Sequence, residues 1–345
     1  MDMFSACVRR LGRRWRAPAA LVSMAALGFG SIAGAAQAQA QASPPPLVVG
    51  IANFGPHPAL STTIQGFKDK MHAHGYLENK NVRYVYSDAN FTPSLIPQTL
   101  AQIVAQQPSL ILTVTTPVAQ AAVRNVTNLA IPLVFAQVTD PVKAGIVPDW
   151  EHGSARINGT SSVTDYNAVL GFAKTVFPKA RKFGVLYNSG EVNDVAAIAS
   201  LKEAAARAGL EIVTTSADST VDVPQRASTL QGIDFFYAIG SSLIQSSLPA
   251  VASVTDHMHV PILSAEHELI RKGDIIAAAY APSYESQGSH AADMALNMLK
   301  GVKPSAMPVY RAVPSDYKAL INRRKFKALG LPVPAALDAC NCFVN

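Results

Sequence analysis

"LILTVTTPVAQAAVRN", running from Leu110 to Asn125, decides the fold class. Its first residues form a nearly unbroken apolar run. Parallel strands have that composition, because helices bury both of their faces. Two threonines and a proline follow, then alanines and valines in a helical pattern. The stretch therefore predicts a strand that turns directly into a helix. A helix N-terminus leaves backbone N–H groups unpaired and attracts anions. Thr116 is placed to cap this helix, with Pro117 at its first position. A plain cap and a seat for a small carboxylate or phosphate both fit the pattern.

The same plan extends in both directions. "LVVGIAN" predicts a strand, and residues 58–76 a helix stopped at Gly75. "NVRYVYSDA", "PLVFAQV", "KFGVLYN", "EIVTTSA" and "DFFYAIG" predict further strands, with helices between them. Residues 241–257 read as one helix, "PILSAEH" and "DIIAAAY" as strands, and residues 283–300 as a helix. Residues 49–76 and 183–210 share one plan: strand, polar turn, long helix, glycine stop. The expected fold is α/β, with two doubly wound lobes. The pattern restarts near position 160.

The first forty residues fall outside this plan. Five arginines precede an apolar, small-residue stretch, and "AQAQAQA" then offers A-x-A cleavage sites. That is the pattern of a secretory signal peptide over residues 1–40. It places the mature chain in the periplasm. The leader accounts for +4 of the +6 formal charge. The remaining chain is nearly neutral, which gives no case for a nucleic-acid surface. Cys340 and Cys342 stand in a C-terminal tail, residues 333–345. Their C-x-C spacing is too tight for an easy mutual bridge and too sparse for a zinc site. The tail is expected to fray, with disulfide bonding open to its cysteines in an oxidising compartment.

In open parallel sheets, ligands bind beyond the carboxyl ends of the strands. Residues just after the strands are therefore the candidates. They are Asn53, Phe54 and His57; Thr115, Thr116 and Pro117; Gln137 and Asp140; Tyr187, Asn188 and Asn193; Gly240, Ser241 and Ser242; and Glu266. This set is polar, rich in hydroxyls and poor in charge, which suits a small polar molecule between two lobes. Capping alone also explains Thr116 and Ser241, and a turn alone explains Asp140. Catalytic signatures are missing from the sequence: no G-x-S-x-G, no P-loop, no G-x-G-x-x-G and no H-x-x-x-H. No cofactor, metal or enzymatic activity is expected.

"VGIANFGPHPALSTTIQGFKDKMHAHGY", "TTPVAQAAVRN", "LVFAQVTDPVKAGIV", "NGTSS" and "VLYNSGEVND" together resemble the substrate-binding proteins of one ABC-importer family. Its better known members bind tryptophan or other aromatic amino acids. The likeness runs from about 47 to 330. It implies two Rossmann-like lobes joined by a hinge, in the type I periplasmic-binding-protein arrangement. By analogy, residues 47–160 plus 282–307 form lobe I, and 161–281 plus 308–332 form lobe II. It also implies capture of a small solute (an amino acid or related carboxylate) by a monomer. Delivery would be to a membrane permease with a cytoplasmic ATPase. Thr115, Thr116 and Pro117 match the family's carboxylate seat. Gly240–Ser242 and Ser264-Ala265-Glu266 depart from the family's acidic pattern, leaving Glu266 and Asp140 to meet an ammonium. A secreted sensing module for a membrane receptor makes the same demands of the sequence.

Overall fold

Strands form where the apolar runs lie, and helices fill the alanine-rich stretches between them. The computed structural model describes residues 45–344, apart from positions 272 and 339. The expected leader lies outside the described residues. β1 (Leu47–Asn53), α1 (Pro58–Ala73), β2 (Val82–Asp88), α2 (Ile96–Val104), β3 (Leu110–Val114), α3 (Thr116–Asn125), β4 (Leu133–Val138) and β5 (Ile157–Ser161) come first. α4 (Tyr166–Val176), β6 (Lys182–Tyr187), α5 (Val192–Ala208), β7 (Glu211–Ser216), α6 (Val223–Ser228), β8 (Phe235–Ala238), α7 (Ser242–Ser246) and α8 (Leu248–His257) follow. The order ends with β9 (Ile262–Ser264), β10 (Ala278–Pro282), α9 (Tyr284–Leu299), β11 (Tyr310–Arg311), β12 (Tyr317–Asn322), α10 (Arg323–Ala328) and β13 (Phe343–Val344).

Two sheets result. One has the order β11-β5-β4-β3-β1-β2, the other β13-β12-β10-β9-β8-β6-β7. All pairings are parallel except β10 with β12. Side chains alternate across each strand, so each sheet carries a core on both faces. In β1, Val49 and Ile51 face Phe67 and Met71, while Ala52 joins the cluster of Ile103 and Phe135 on the other face. The two-lobed α/β class expected from the sequence is the one observed.

The chain crosses between the sheets after β5, again after β10, and again after β11. α9 leaves the second sheet and packs beside α1 on the first. The pair approaches closely because Gly66 and Gly288 sit at the contact. A Cβ on Gly288 would run into the Thr63 carbonyl, and one on Gly66 into that of Glu285.

Several local expectations are corrected. The helix at 241–257 is two helices, because Pro249 in the first turn of α8 lacks an N–H for continuous pairing. β9 stops at Ser264, whose side chain accepts from the Glu266 amide and turns the chain out of the sheet. β10 begins at Ala278, four residues after Asp274, the first residue of the expected strand. The tail is not frayed: β13 pairs with β12, and Leu337, Cys342 and Val344 are buried. Cys340 and Cys342 are bridged; a turn brings their Cα atoms to 5.2 Å, within disulfide reach.

Candidate functional site

β3 ends at Val114, and the next residue carries the site's most unusual backbone. Thr115 has φ 83° and ψ 160°. That region belongs to glycine, and a β-branched residue there costs about 1–3 kcal/mol. Gln137, the next-to-last residue of β4, also has a positive φ of 58°. Both residues are buried. Strain of this kind clusters at ligand sites, where the surroundings hold it in place. Thr115, not Thr116, is the N-cap of α3, and it makes no side-chain cap bond. The Thr116 hydroxyl instead accepts from the Thr139 amide at 3.3 Å, tying the ends of β3 and β4 together. The Oγ1 of Thr115 is buried without a partner. The first amides of α3 have no acceptor further back in the helix. The junction thus lacks a side-chain cap and leaves a buried hydroxyl beside the start of α3.

Opposite it, the second sheet supplies the strand ends after β6, β8 and β9. Thr115, Thr116, Pro117, Gln137, Asn193, Gly240, Ser242 and Glu266 line one hollow, together with Thr139, Ser162 and Tyr284. A second adjoins it through Thr139, Ser162, Asn193, Gly240 and Tyr284. Thr164, Tyr166, Asp194, Ala265, Pro282 and Gln287 complete its wall.

The electrostatics are acidic on the second-sheet side. Glu266 accepts from the Tyr284 hydroxyl at 2.9 Å through Oε1. Its Oε2 lies 3.5 Å from His57 Nδ1, so His57 reaches the site across the two lobes. Oε2 has no hydrogen-bond partner. Burial, then the charge of Glu268, pushes the Glu266 carboxyl well above the usual range; the Tyr284 hydroxyl opposes this. Asp194 accepts from the Asn188 amide and from Asn193 Nδ2, each at 2.8 Å. Burial and neighbouring Glu191 push its carboxyl up to about 7.

The remaining candidates serve local structure. Asn53 accepts from the Phe54 amide and donates to the Gly55 carbonyl. Phe54 packs edge-on against Phe91 in the first-lobe core. Asp140 accepts from the amides of Val142 and Lys143, closing a turn. Tyr187 packs on the second-lobe core. Asn188 accepts from the Gly190 amide. Ser241 caps α7 through the Ile244 amide. Tyr166, Asp194, Tyr284 and Gln287 line the hollows without having been singled out. Tyr284 and Gln287 directly follow β10, so the strand-end rule reaches them once β10 is correctly placed.

A model of the family described as ABC transporter substrate binding protein matches residues 48–340. The chain belongs to this family. It is a substrate-binding protein of the ABC-transporter class: it captures a small solute outside the cytoplasm, and the family implies a membrane permease as its partner. A tyrosine-binding protein of Clostridioides difficile (strain R20291) is 31% identical over 284 residues, covering 82% of this chain and 81% of the relative. A conserved domain protein of Vibrio cholerae superposes with a TM-score of 0.82 at 28% identity, covering 87% of this chain and 99% of that one. A ligand-free, open substrate binding protein with adhesive properties from Clostridium difficile is 30% identical. It covers the same shares of the two chains, but its TM-score is only 0.66. The substrate-binding protein described here keeps Glu266 and His57 buried against each other across the lobes.

Proposed function

We propose that the solute is an α-amino acid with an aromatic side chain, held as a zwitterion in the hollow between the lobes. One observation carries this reading. Thr115 Oγ1 and Glu266 Oε2 are both buried, both without a hydrogen-bond partner, and both in the wall of one hollow. Buried polar atoms are nearly always paired, so a pair of orphans facing one space marks the place of a ligand. The solute carboxylate takes Thr115 and the first turn of α3. The solute ammonium takes Glu266. Tyr166, Tyr284 and Pro282 offer flat walls to a ring. The tyrosine-binding relative supports the same chemistry. We further read residues 1–40 as a leader that exports the protein to the periplasm. There the protein acts as a non-catalytic monomer, delivering its solute to a permease driven by a cytoplasmic ATPase.

Native mass spectrometry on protein purified from exporting cells, followed by identification of what is released on denaturation, tests this reading. An aromatic amino acid is the expected species. A solute without an amine would sink the zwitterion assignment. Thr115→Val tests the seat itself. It keeps the side chain's shape and removes one hydroxyl, so affinity for the amino acid should fall by about 10- to 100-fold. The melting temperature of the empty protein should barely move. Calorimetry that returned an unchanged affinity would remove Thr115 from the site.

A further inference from the structure

We propose that Gln287 is a specificity-determining residue that reads a hydroxyl at the far end of the solute's side chain. The inference rests on the amino-acid reading above and deepens it. Gln287 sits in the first turn of α9 and is 2% exposed. Neither its Oε1 nor its Nε2 has a partner, although the residue lines the second hollow. It cannot withdraw from that position. Its neighbour Gly288 is wedged against the Thr63 carbonyl of α1, and Ser283 caps the helix one turn earlier.

The unpartnered atoms define the missing chemistry. Asn193 Oδ1 is a second buried orphan in the same hollow. Its orientation is set, because Asn193 Nδ2 donates to Asp194 and Glu191 and leaves the oxygen as the free atom. The hollow therefore presents acceptors at Asn193 and Gln287 and a donor at Gln287. An ammonium only donates, and would leave Gln287 Nε2 unsatisfied. A carboxylate only accepts, and would face Asn193 Oδ1 and Asp194. A hydroxyl both donates and accepts, so it pairs Gln287 Nε2 and one of the two oxygens. The hollow meets the amino-acid seat through Asn193 and Tyr284. A side chain entering from the seat reaches Gln287, which lines this hollow and not the seat, and a phenol places its hydroxyl there.

Titration calorimetry with L-tyrosine, L-phenylalanine and L-lysine tests the proposal on the wild type and on Gln287→Leu. Gln287→Met serves as a second apolar variant of similar volume. A site built around a hydroxyl rejects the analogue that lacks it, so the wild type should prefer tyrosine to phenylalanine by at least ~100-fold. Both variants should lose most of that ratio, chiefly through weaker tyrosine binding. Equal affinity for tyrosine and phenylalanine in the wild type would overturn the inference alone. So would an unchanged ratio in both variants. Preference for lysine would overturn it in favour of a second cation. Failure of every amino acid to bind would overturn the reading on which it rests.

Discussion

Glu266→Gln is expected to abolish amino-acid binding while making the empty protein more stable at neutral pH. The carboxylate is the buried acid in the same hollow as Thr115, and its oxygen without a hydrogen-bond partner is the group proposed to meet the ammonium. Removing one member of a buried, hydrogen-bonded charge pair costs about 2–5 kcal/mol, so affinity should fall by at least ~30-fold. The stability effect runs the other way. Burial has raised the Glu266 carboxyl well above its ordinary value of 4.5. Asp194 is likewise raised, from 3.8 to about 7. A group whose folded pKa lies above its unfolded one binds more protons in the folded state. Its contribution is fully present below the unfolded value and is lost as pH rises through the folded one. The empty wild type should therefore lose melting temperature between about pH 4 and pH 8, and Glu266→Gln should lose less. Ligand reverses the sign at Glu266, because a bound ammonium favours the ionised acid. Affinity should accordingly fall as pH drops below neutrality. Thermal melts across this range, with and without the amino acid, read both effects. A variant that binds as tightly as wild type would remove Glu266 from the ammonium site.

The origin of that trade-off was only half legible in the sequence. The parallel strands were visible because buried strands need continuous apolar runs, and β3 and β4 are buried at every position. The strand-end rule then found Thr115, Gln137, Asn193 and Glu266 without any knowledge of their contacts. It found Asn53, Asp140 and Asn188 by the same logic, yet the structure gives these residues turn and cap bonds. Sequence position cannot separate the two outcomes, since a polar residue after a strand serves the backbone or the ligand with equal ease. Asp194 was missed for another reason. It lies in the first turn of α5, where an acid favours the helix dipole and reads as solvent-facing. Only the rotation of α5 against the second sheet turns it inward. Tyr284 and Gln287 escaped because the alanine-rich run before them hid where β10 ends. The positive φ of Thr115 has no sequence signal at all, because glycine is the residue that ordinarily marks such a position.

Gly288→Ala is expected to destabilise the protein strongly, and the competing effects show why. Alanine in a helix interior is ordinarily favoured over glycine by about 1 kcal/mol. At Gly171 in α4, where a Cβ meets nothing within 4 Å, that gain should appear as a small rise in melting temperature. Gly288 faces the opposite situation. Its Cβ would collide with the Thr63 carbonyl and approach the Phe67 amide, and backbone atoms cannot rotate away as a side chain tip can. α9 must move off α1. The Ala291, Ala292 and Ala295 contacts with the first-lobe core then loosen along with it. Overpacking of this kind costs about 1–3 kcal/mol and more where backbone must shift, which outweighs the propensity gain. A net loss of about 2 kcal/mol corresponds to roughly 4–8 °C in a domain of this size. The consequence reaches the site, because Tyr284 and Gln287 ride on the first turn of the same helix. Affinity for the amino acid should weaken even though Gly288 itself does not line either hollow. Thermal melts of Gly288→Ala and Gly171→Ala, run side by side, separate the two effects. If both variants rose together, close packing of α1 on α9 would not be what positions the far end of the site.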